Sequence, residues 1–177
     1  MMGCEVDIGD CNESAATRVV YTRDGRPAYE GQAMVALSCG NQSYCHSSTA
    51  TGEGRFGAPI GLNFDVFPAS YDGVASPEQT ERLRIAQANV NSYSGHIFAT
   101  VESGTMPPWG ESTLSAHEET PRFASDSGER LPFVDSFEGV EIVRNWVACG
   151  APVVERSDPR PDGVPAVGDI VEVQGSI

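Results

Sequence analysis

Cys45 is followed directly by His46, and Met106 stands before two prolines about 60 residues further along the chain. A thiol next to an imidazole can attach a haem through a vinyl group and coordinate its iron, and a methionine thioether can bind the iron from the other side. The usual attachment motif, C-x-x-C-H, has two residues between its cysteines, whereas five stand between Cys39 and Cys45. The chain therefore carries the parts of a covalent haem site at an unusual spacing.

The chain is rich in residues that interrupt regular structure. Its 177 residues include 19 glycines and 12 prolines, which favour loops over long helices and strands. The length fits one domain with additions at its ends, and we expect an N-terminal arm over 1–27, the domain over 28–152 and a C-terminal tail over 153–177. A large ligand would help such a chain to fold, because its faces supply apolar contact area.

The charge of the chain excludes one class of partner. The net charge is −14, and all 11 basic residues are arginines. Such a surface repels nucleic-acid phosphates and anionic lipids, so we do not expect binding to nucleic acid. By the same reasoning, a redox partner protein is expected to present a basic patch.

The cysteine content indicates a compartment outside the cytoplasm. Five cysteines are more than a reducing cytosol usually tolerates without metal sites. The first residues, Met1-Met2-Gly3-Cys4, look like the end of a lipoprotein cleavage site whose apolar stretch is missing. One interpretation is a periplasmic or cell-surface protein held by an outer-membrane lipid anchor on Cys4. The other is that Cys4 stands there by chance.

Apolar spacing and capping signals predict a mostly α-helical chain with long loops. The predicted helices cover 28–39, 76–101 with a break at Ser94-Gly95, and 138–149. Ser76-Pro77 is a helix start, since serine caps a helix and proline fits its first turn. A short strand is expected at 18–21, and loops are expected over 47–75 and 104–136.

Met106 is the better of two candidates for the second iron ligand. Pro107 pushes Met106 away from helical backbone angles, so that the thioether projects from a loop. His96 could bind the iron instead, but it lies on a predicted helix, where a histidine is more often a surface or hydrogen-bonded residue. Met106 could also be an ordinary core residue.

Two points about the haem attachment stay open. Cys39 and Cys45 can both bond the haem, Cys45 can do so alone, or the two cysteines can form a disulfide. Arg55 can pair with a haem propionate, although an exposed arginine is the simpler interpretation.

Five short stretches occur in the order found in one family. They are Gly31-Gln32-Ala33, Cys45-His46, Gly57-Ala58-Pro59, Met106-Pro107-Pro108 and Trp146-Val147-Ala148-Cys149-Gly150-Ala151-Pro152. They spread over roughly residues 28–152, and through them the chain resembles a class I-like cytochrome c domain of extracytoplasmic bacterial proteins. The resemblance implies a cytochrome c-like helical fold around one covalently bound haem c, with an irregular N-terminal arm and a C-terminal tail outside it.

The resemblance also assigns roles to individual residues. It implies that His46 and Met106 are the iron ligands and that Cys39 and Cys45 bond the haem. The carbonyl of Pro59 would accept a hydrogen bond from the His46 ring and fix its orientation. The wider cysteine spacing departs from the family's pattern and bears mainly on the role of Cys39.

The resemblance extends to the remaining cysteines. In cytochrome-like folds the first and last helices cross, so that the two ends of the domain approach each other. This implies a disulfide between Cys11 and Cys149, with a buried, reduced Cys149 as the alternative.

The expected function is single-electron transfer by a mono-haem carrier rather than catalysis. Two protein ligands leave no open position on the iron for a substrate. Two alternatives remain. One is a haem-free, disulfide-stabilised lipoprotein that acts as a structural or interaction subunit. The other is a haem enzyme or sensor, in which Met106 leaves the iron and a small ligand binds.

Overall fold

The computed structural model describes residues 6–22, 25–40, 45–106, 123–125 and 131–162, and within them the chain is mostly helical, as predicted. The helices are α1 (Glu13–Ala16), α2 (Glu30–Ser38), α3 (Pro77–Ser92), α4 (Ser94–Glu102) and α5 (Phe137–Ala148), with a 3₁₀ turn at Gly52–Arg55. The strands are β1 (Val19–Thr22), β2 (Pro27–Tyr29) and β3 (Phe123–Ser125). None of these described helices combines the length and the apolarity that a membrane span requires. The predictions that concern Cys4, Pro107, Pro108 and residues 163–177 lie outside the described residues.

The long predicted helix is present and broken as expected. Its first half, α3, begins after Ser76, whose hydroxyl accepts a hydrogen bond from the N–H of Gln79 at 3.2 Å, and Pro77 occupies the first turn. The helix ends at Ser92, the backbone of Tyr93 has left helical angles, and α4 starts at the next residue. The break therefore lies one residue before the predicted Ser94-Gly95.

A small antiparallel sheet joins parts of the chain that are distant in sequence. The strand order is β2-β1-β3, with Val20 of β1 opposite Ala28 on one side and Ser125 on the other. Because β2 takes up residues 27–29, α2 begins at Glu30 and not at the predicted residue 28. The short strand predicted at 18–21 is confirmed as β1, one residue further along at Val19–Thr22. The 104–136 segment, expected to be a loop, contributes β3, since both edges of β1 can pair with extended backbone.

The core lies between α2, α4 and α5, and α5 packs against both of the others. At the crossing of α2 and α5, Trp146 lies so close to Gly31 that a methyl group there would come within 2.3 Å of the tryptophan Cβ. Trp146 is 2% exposed, and its indole N–H donates to the carbonyl of Pro152 at 2.9 Å. The buried residues of this main cluster are Met34, Val35, Ala36, Leu62, Phe64, Val90, Ile97, Phe98, Val101, Val134, Val143, Trp146, Val147 and Ala151.

The predicted disulfide between Cys11 and Cys149 is present, and the alternative of a reduced Cys149 is wrong. The bond joins residues 138 apart in sequence and ties the N-terminal segment to the end of α5. Asn145 supports the same junction, since its side chain accepts from the N–H of Asn12 at 2.7 Å and donates to the Asn12 carbonyl at 2.9 Å. Closing so long a loop is worth about 5 kcal/mol as an upper figure.

The segment after α5 folds back over α3 and the residues before it. Val154 is buried, and Glu155 accepts from Arg84 of α3 at 2.9 Å. Arg160 pairs with Asp72 at 2.6 Å. The first part of the expected tail therefore packs on the domain.

Candidate functional site

His46 lies in a loop that folds back on the end of α2. Its backbone N–H donates to the carbonyl of Cys39 at 3.3 Å, and its own carbonyl accepts from the N–H of Phe64 at 2.9 Å. The imidazole and the Phe64 ring have centroids 4.7 Å apart and planes tilted by 37°. The ring is therefore held by its backbone on both sides and by an aromatic contact.

The imidazole is hydrogen-bonded through one nitrogen. Nδ1 lies 3.0 Å from the carbonyl oxygen of Leu62. A carbonyl can only accept, so in the neutral ring Nδ1 carries the proton and Nε2 keeps a lone pair. Among the described residues, Nε2 has no hydrogen-bond partner.

The prediction that Pro59 supplies this carbonyl is wrong. The Pro59 oxygen accepts from Nη2 of Arg55 at 2.7 Å instead. The chain turns after Pro59, where Gly61 has a φ of +87° and the Leu62 N–H donates back to the Pro59 carbonyl. This turn brings the carbonyl of Leu62, three residues further along, onto the imidazole.

The surroundings of His46 favour the neutral imidazole. Burial lowers the pKa of His46 below its ordinary value of 6.5. The hydrogen bond to Leu62 acts in the opposite direction, and the positive charge of Arg55 lowers the pKa further. Neutral imidazole is the form that binds a metal, so His46 has the protonation state and the tautomer that an iron ligand needs.

Cys39 and Cys45 both precede this histidine in the chain. Cys39 caps the C-terminal end of α2, and both thiols are reduced and half-buried, so the alternative of a Cys39–Cys45 disulfide is not what the structure shows. The hydrogen bond from the His46 N–H to the Cys39 carbonyl brings the backbones of these two residues together, although the C-x5-C-H spacing is wide. Cys45 has a φ of +53°, which few residues other than glycine adopt, and its N–H donates to the Gly54 carbonyl at 2.9 Å. The number of thioether bonds stays a prediction.

The simpler interpretation of Arg55, an exposed arginine, is wrong. Its side chain is buried, with the residue 9% exposed. Its guanidinium donates, over 2.7 to 3.4 Å, to the carbonyls of Ser47, Ala50, Ala58, Pro59 and Leu62 and to the side-chain oxygen of Asn63. Arg55 thus joins the two arms of the loop that surrounds His46.

Asp65 fastens the same loop from its far end. Its carboxylate accepts from the Ser47 hydroxyl at 2.9 Å, from the Ser48 N–H at 2.7 Å and from the Ser48 hydroxyl at 2.9 Å. Asp65 was not among the predicted site residues. The only signal was the pair of hydroxyl residues directly after His46, which commonly bind a nearby carboxylate or backbone group.

Met106 lies just beyond the end of α4. Its N–H donates to the carbonyl of Thr100 at 3.1 Å, and the residue is 39% exposed. Its pairing with His46 across a haem stays a prediction. The alternative ligand, His96, is exposed in the first turn of α4.

The described residues around His46 form no ligand set for a bare metal ion. In the part of the chain that the structure describes, no group of three or more His, Cys, Asp or Glu side chains could hold an ion by itself. His46 offers one donor nitrogen, and the preceding residue, Cys45, carries a reduced thiol. Leu62 and Phe64 connect this loop to the main apolar cluster. A histidine nitrogen and neighbouring cysteines are the residue types through which a protein holds a haem of this kind.

Comparison with known proteins gave no match. No protein-family model matches the chain, and no curated protein and no solved structure is significantly similar to it. The assignment of the site therefore depends on the residues that form it.

Proposed function

We propose that this chain is a mono-haem electron carrier, with haem c attached through Cys45 and coordinated by His46. The observation that carries the proposal is the state of the imidazole. Its Nδ1–H is bound to the Leu62 carbonyl, and its Nε2 has no hydrogen-bond partner among the described residues. In metal sites, a hydrogen bond on the second ring nitrogen is what fixes the tautomer and orients the ligand.

The cysteines would make the covalent link. The Cys45 thiol would add across one vinyl group, its sulfur bonding one carbon and its hydrogen the other, so that no oxidant is needed. Cys39, whose carbonyl is bound to His46, is the candidate for the same addition at the second vinyl group. Met106 would supply the second ligand to the iron, and a thioether ligand favours the reduced iron.

Bound haem supplies an iron that accepts one electron from a reduced partner protein and passes it to an oxidised one. The net charge of −14 supports a partner with a basic patch, and their association should weaken as salt is added. The disulfide between Cys11 and Cys149 supports an oxidising compartment such as the periplasm or the cell surface. A lipid anchor on Cys4 is part of the same proposal.

Absorption spectroscopy of the purified chain tests the proposal. The chain should be secreted in a host with intact machinery for covalent haem attachment, and it should then show a Soret band that survives acid–solvent extraction. The His46→Ala variant should lose the six-coordinate, low-spin spectrum. His96→Ala removes an exposed histidine instead and should leave the spectrum unchanged.

Single cysteine variants count the attachment points. The reduced pyridine adduct of the wild-type haem reports whether one or two vinyl groups have reacted. If both thiols bond the haem, Cys39→Ala and Cys45→Ala should each leave one thioether. If Cys45 bonds it alone, Cys39→Ala should leave the adduct unchanged.

Two results would redirect the assignment. A secreted chain with the disulfide between Cys11 and Cys149 formed but with no Soret band would contradict the carrier and support the haem-free interaction subunit. Carbon monoxide binding to the native, reduced protein would show that Met106 leaves the iron readily, which would favour a haem enzyme or sensor.

A further inference from the structure

Arg55 is a buried cation whose bonds all go to neutral groups. Its guanidinium donates to five backbone carbonyls and to the amide oxygen of Asn63, and it pairs with no carboxylate among the described residues. Burying a charge without a counter-charge is costly, so a buried arginine of this kind needs an explanation beyond filling space. Its positive charge is held at one place, because its neighbours fix every arm of the guanidinium.

One of these bonds connects Arg55 directly to the candidate iron ligand. Nη2 of Arg55 donates to the Leu62 carbonyl at 3.2 Å, and Nδ1 of His46 donates to the same oxygen at 3.0 Å. A carbonyl that serves a charged donor has less electron density to offer a second one. Arg55 therefore limits how strongly Leu62 can draw the proton of His46.

We propose that Arg55 is a positioning residue that sets how strongly His46 donates to the iron and so raises the reduction potential of the bound haem. The inference rests on the proposed function. Oxidised iron carries one more positive charge than reduced iron, so a fixed cation nearby disfavours the oxidised form. A weaker hydrogen bond from Nδ1–H also leaves the imidazole less electron-rich, which acts in the same direction.

Potentiometric titration of the haem-loaded protein separates this role from a purely structural one. Arg55→Gln removes the charge, and we expect its potential to fall. Arg55→Lys keeps the charge and should stay closer to wild type. Arg84→Gln is the matched control, because it removes one charge from an arginine whose side chain is 57% exposed, and its potential should hardly move. Equal shifts in the Gln and Lys variants, or no shift in either, would overturn the proposal.

Nuclear magnetic resonance of the chain prepared without haem gives a second reading that does not depend on the iron. In Arg55→Gln, the Leu62 carbonyl becomes fully available to His46, so the Nδ1–H proton should move downfield and exchange more slowly with water. If Arg55 only holds the loop together, the same proton should move upfield and exchange faster. A wild-type chain without a Soret band would contradict the proposed function. The chemical shift of the His46 Nδ1–H proton would still show whether Arg55 acts on His46.

Folding of the variants is checked by circular dichroism. If Arg55→Gln does not fold, Arg55→Lys decides the matter, since a lysine has fewer donors and cannot reproduce every bond of the guanidinium. Its Nδ1–H proton should still move downfield, and its potential should fall only slightly, because the charge is kept while the hydrogen bond of His46 becomes stronger. A folded Lys variant with an unchanged Nδ1–H proton would contradict the coupling through Leu62.

Discussion

The crossing of α2 and α5 should not tolerate even one added methyl group at Gly31. An alanine Cβ there would lie 2.3 Å from Cβ and 2.5 Å from Cγ of Trp146, whereas carbon atoms in contact prefer about 3.5–4.0 Å. The position of the tryptophan Cβ is fixed by its backbone, so no rotamer change relieves the overlap with that atom and the helices must move apart. Overpacking of this kind costs about 1–3 kcal/mol or more. Alanine returns at most about 1 kcal/mol through its higher helix propensity.

We therefore expect Gly31→Ala to lower the free energy of unfolding by about 2 kcal/mol, which corresponds to a fall in Tm of about 4–8 °C for a domain of this size. Denaturant unfolding followed by circular dichroism measures the loss. Gly95→Ala is the matched control, because Gly95 is also the second residue of its helix and its added Cβ would meet Val6 at an ordinary 3.4 Å. That control should change the stability by no more than about 0.5 kcal/mol. A Gly31→Ala protein as stable as wild type would refute the close crossing, and an equal loss in both variants would point to a general intolerance of helical alanine.

Three further predictions concern the loop, the disulfide and the imidazole. Asp65→Ala should lower the free energy of unfolding by about 2 kcal/mol, because hydrogen bonds to charged groups contribute about 1.5–3 kcal/mol. Amide hydrogen exchange should become faster at Ser48, whereas the relative exchange rates of the amides within α5 should not change. Cys11→Ser should cost about 2–4 kcal/mol, and a reducing agent should then destabilise the wild type but leave the variant unchanged. In the chain prepared without haem, burial should keep the pKa of His46 below 6.5, as a titration of its ring proton shifts would report. The unfolded chain binds this proton at a higher pH than the folded chain does, so the free energy of unfolding should fall as the pH drops below about 6.5. The difference in this free energy between wild type and His46→Gln isolates the contribution of His46. A difference that stays constant from about pH 7 to about pH 5 would contradict the prediction.

The helices could be predicted from the sequence because their signals are local. The cap at Ser76 and the proline after it fix the start of α3 without reference to any other part of the chain. β3 could not be predicted, since a strand of three residues carries no usable pattern and depends on pairing with β1 about 100 residues away. The disulfide between Cys11 and Cys149 could be predicted only through the resemblance to cytochrome c domains, which implies that the first and last helices cross. No local pattern in the sequence indicates this pairing.

The site divides in the same way. His46 and Cys45 could be found because they are adjacent in sequence. The partner of the imidazole was assigned to Pro59 and is Leu62, because a turn within three residues decides which carbonyl faces the ring. The burial of Arg55 could not be foreseen, since its acceptors come from an irregular loop whose path follows no periodicity.

The construction of this loop argues for a ligand at His46 and against a purely structural histidine. A loop that only had to pack could have placed an apolar side chain where Arg55 now lies, and replacing buried charges by apolar groups is often neutral or stabilising. The chain instead buries a guanidinium and uses the Asp65 carboxylate to hold Ser47 and Ser48, the two residues that follow His46. One bond of Arg55 goes to the Leu62 carbonyl that also accepts from Nδ1, and Nε2 is given no partner among the described residues. A local energetic cost such as the buried charge of Arg55 is typically found at functional sites. Nε2, the nitrogen of His46 that has no partner in the described part of the chain, is the atom through which the imidazole would bind iron.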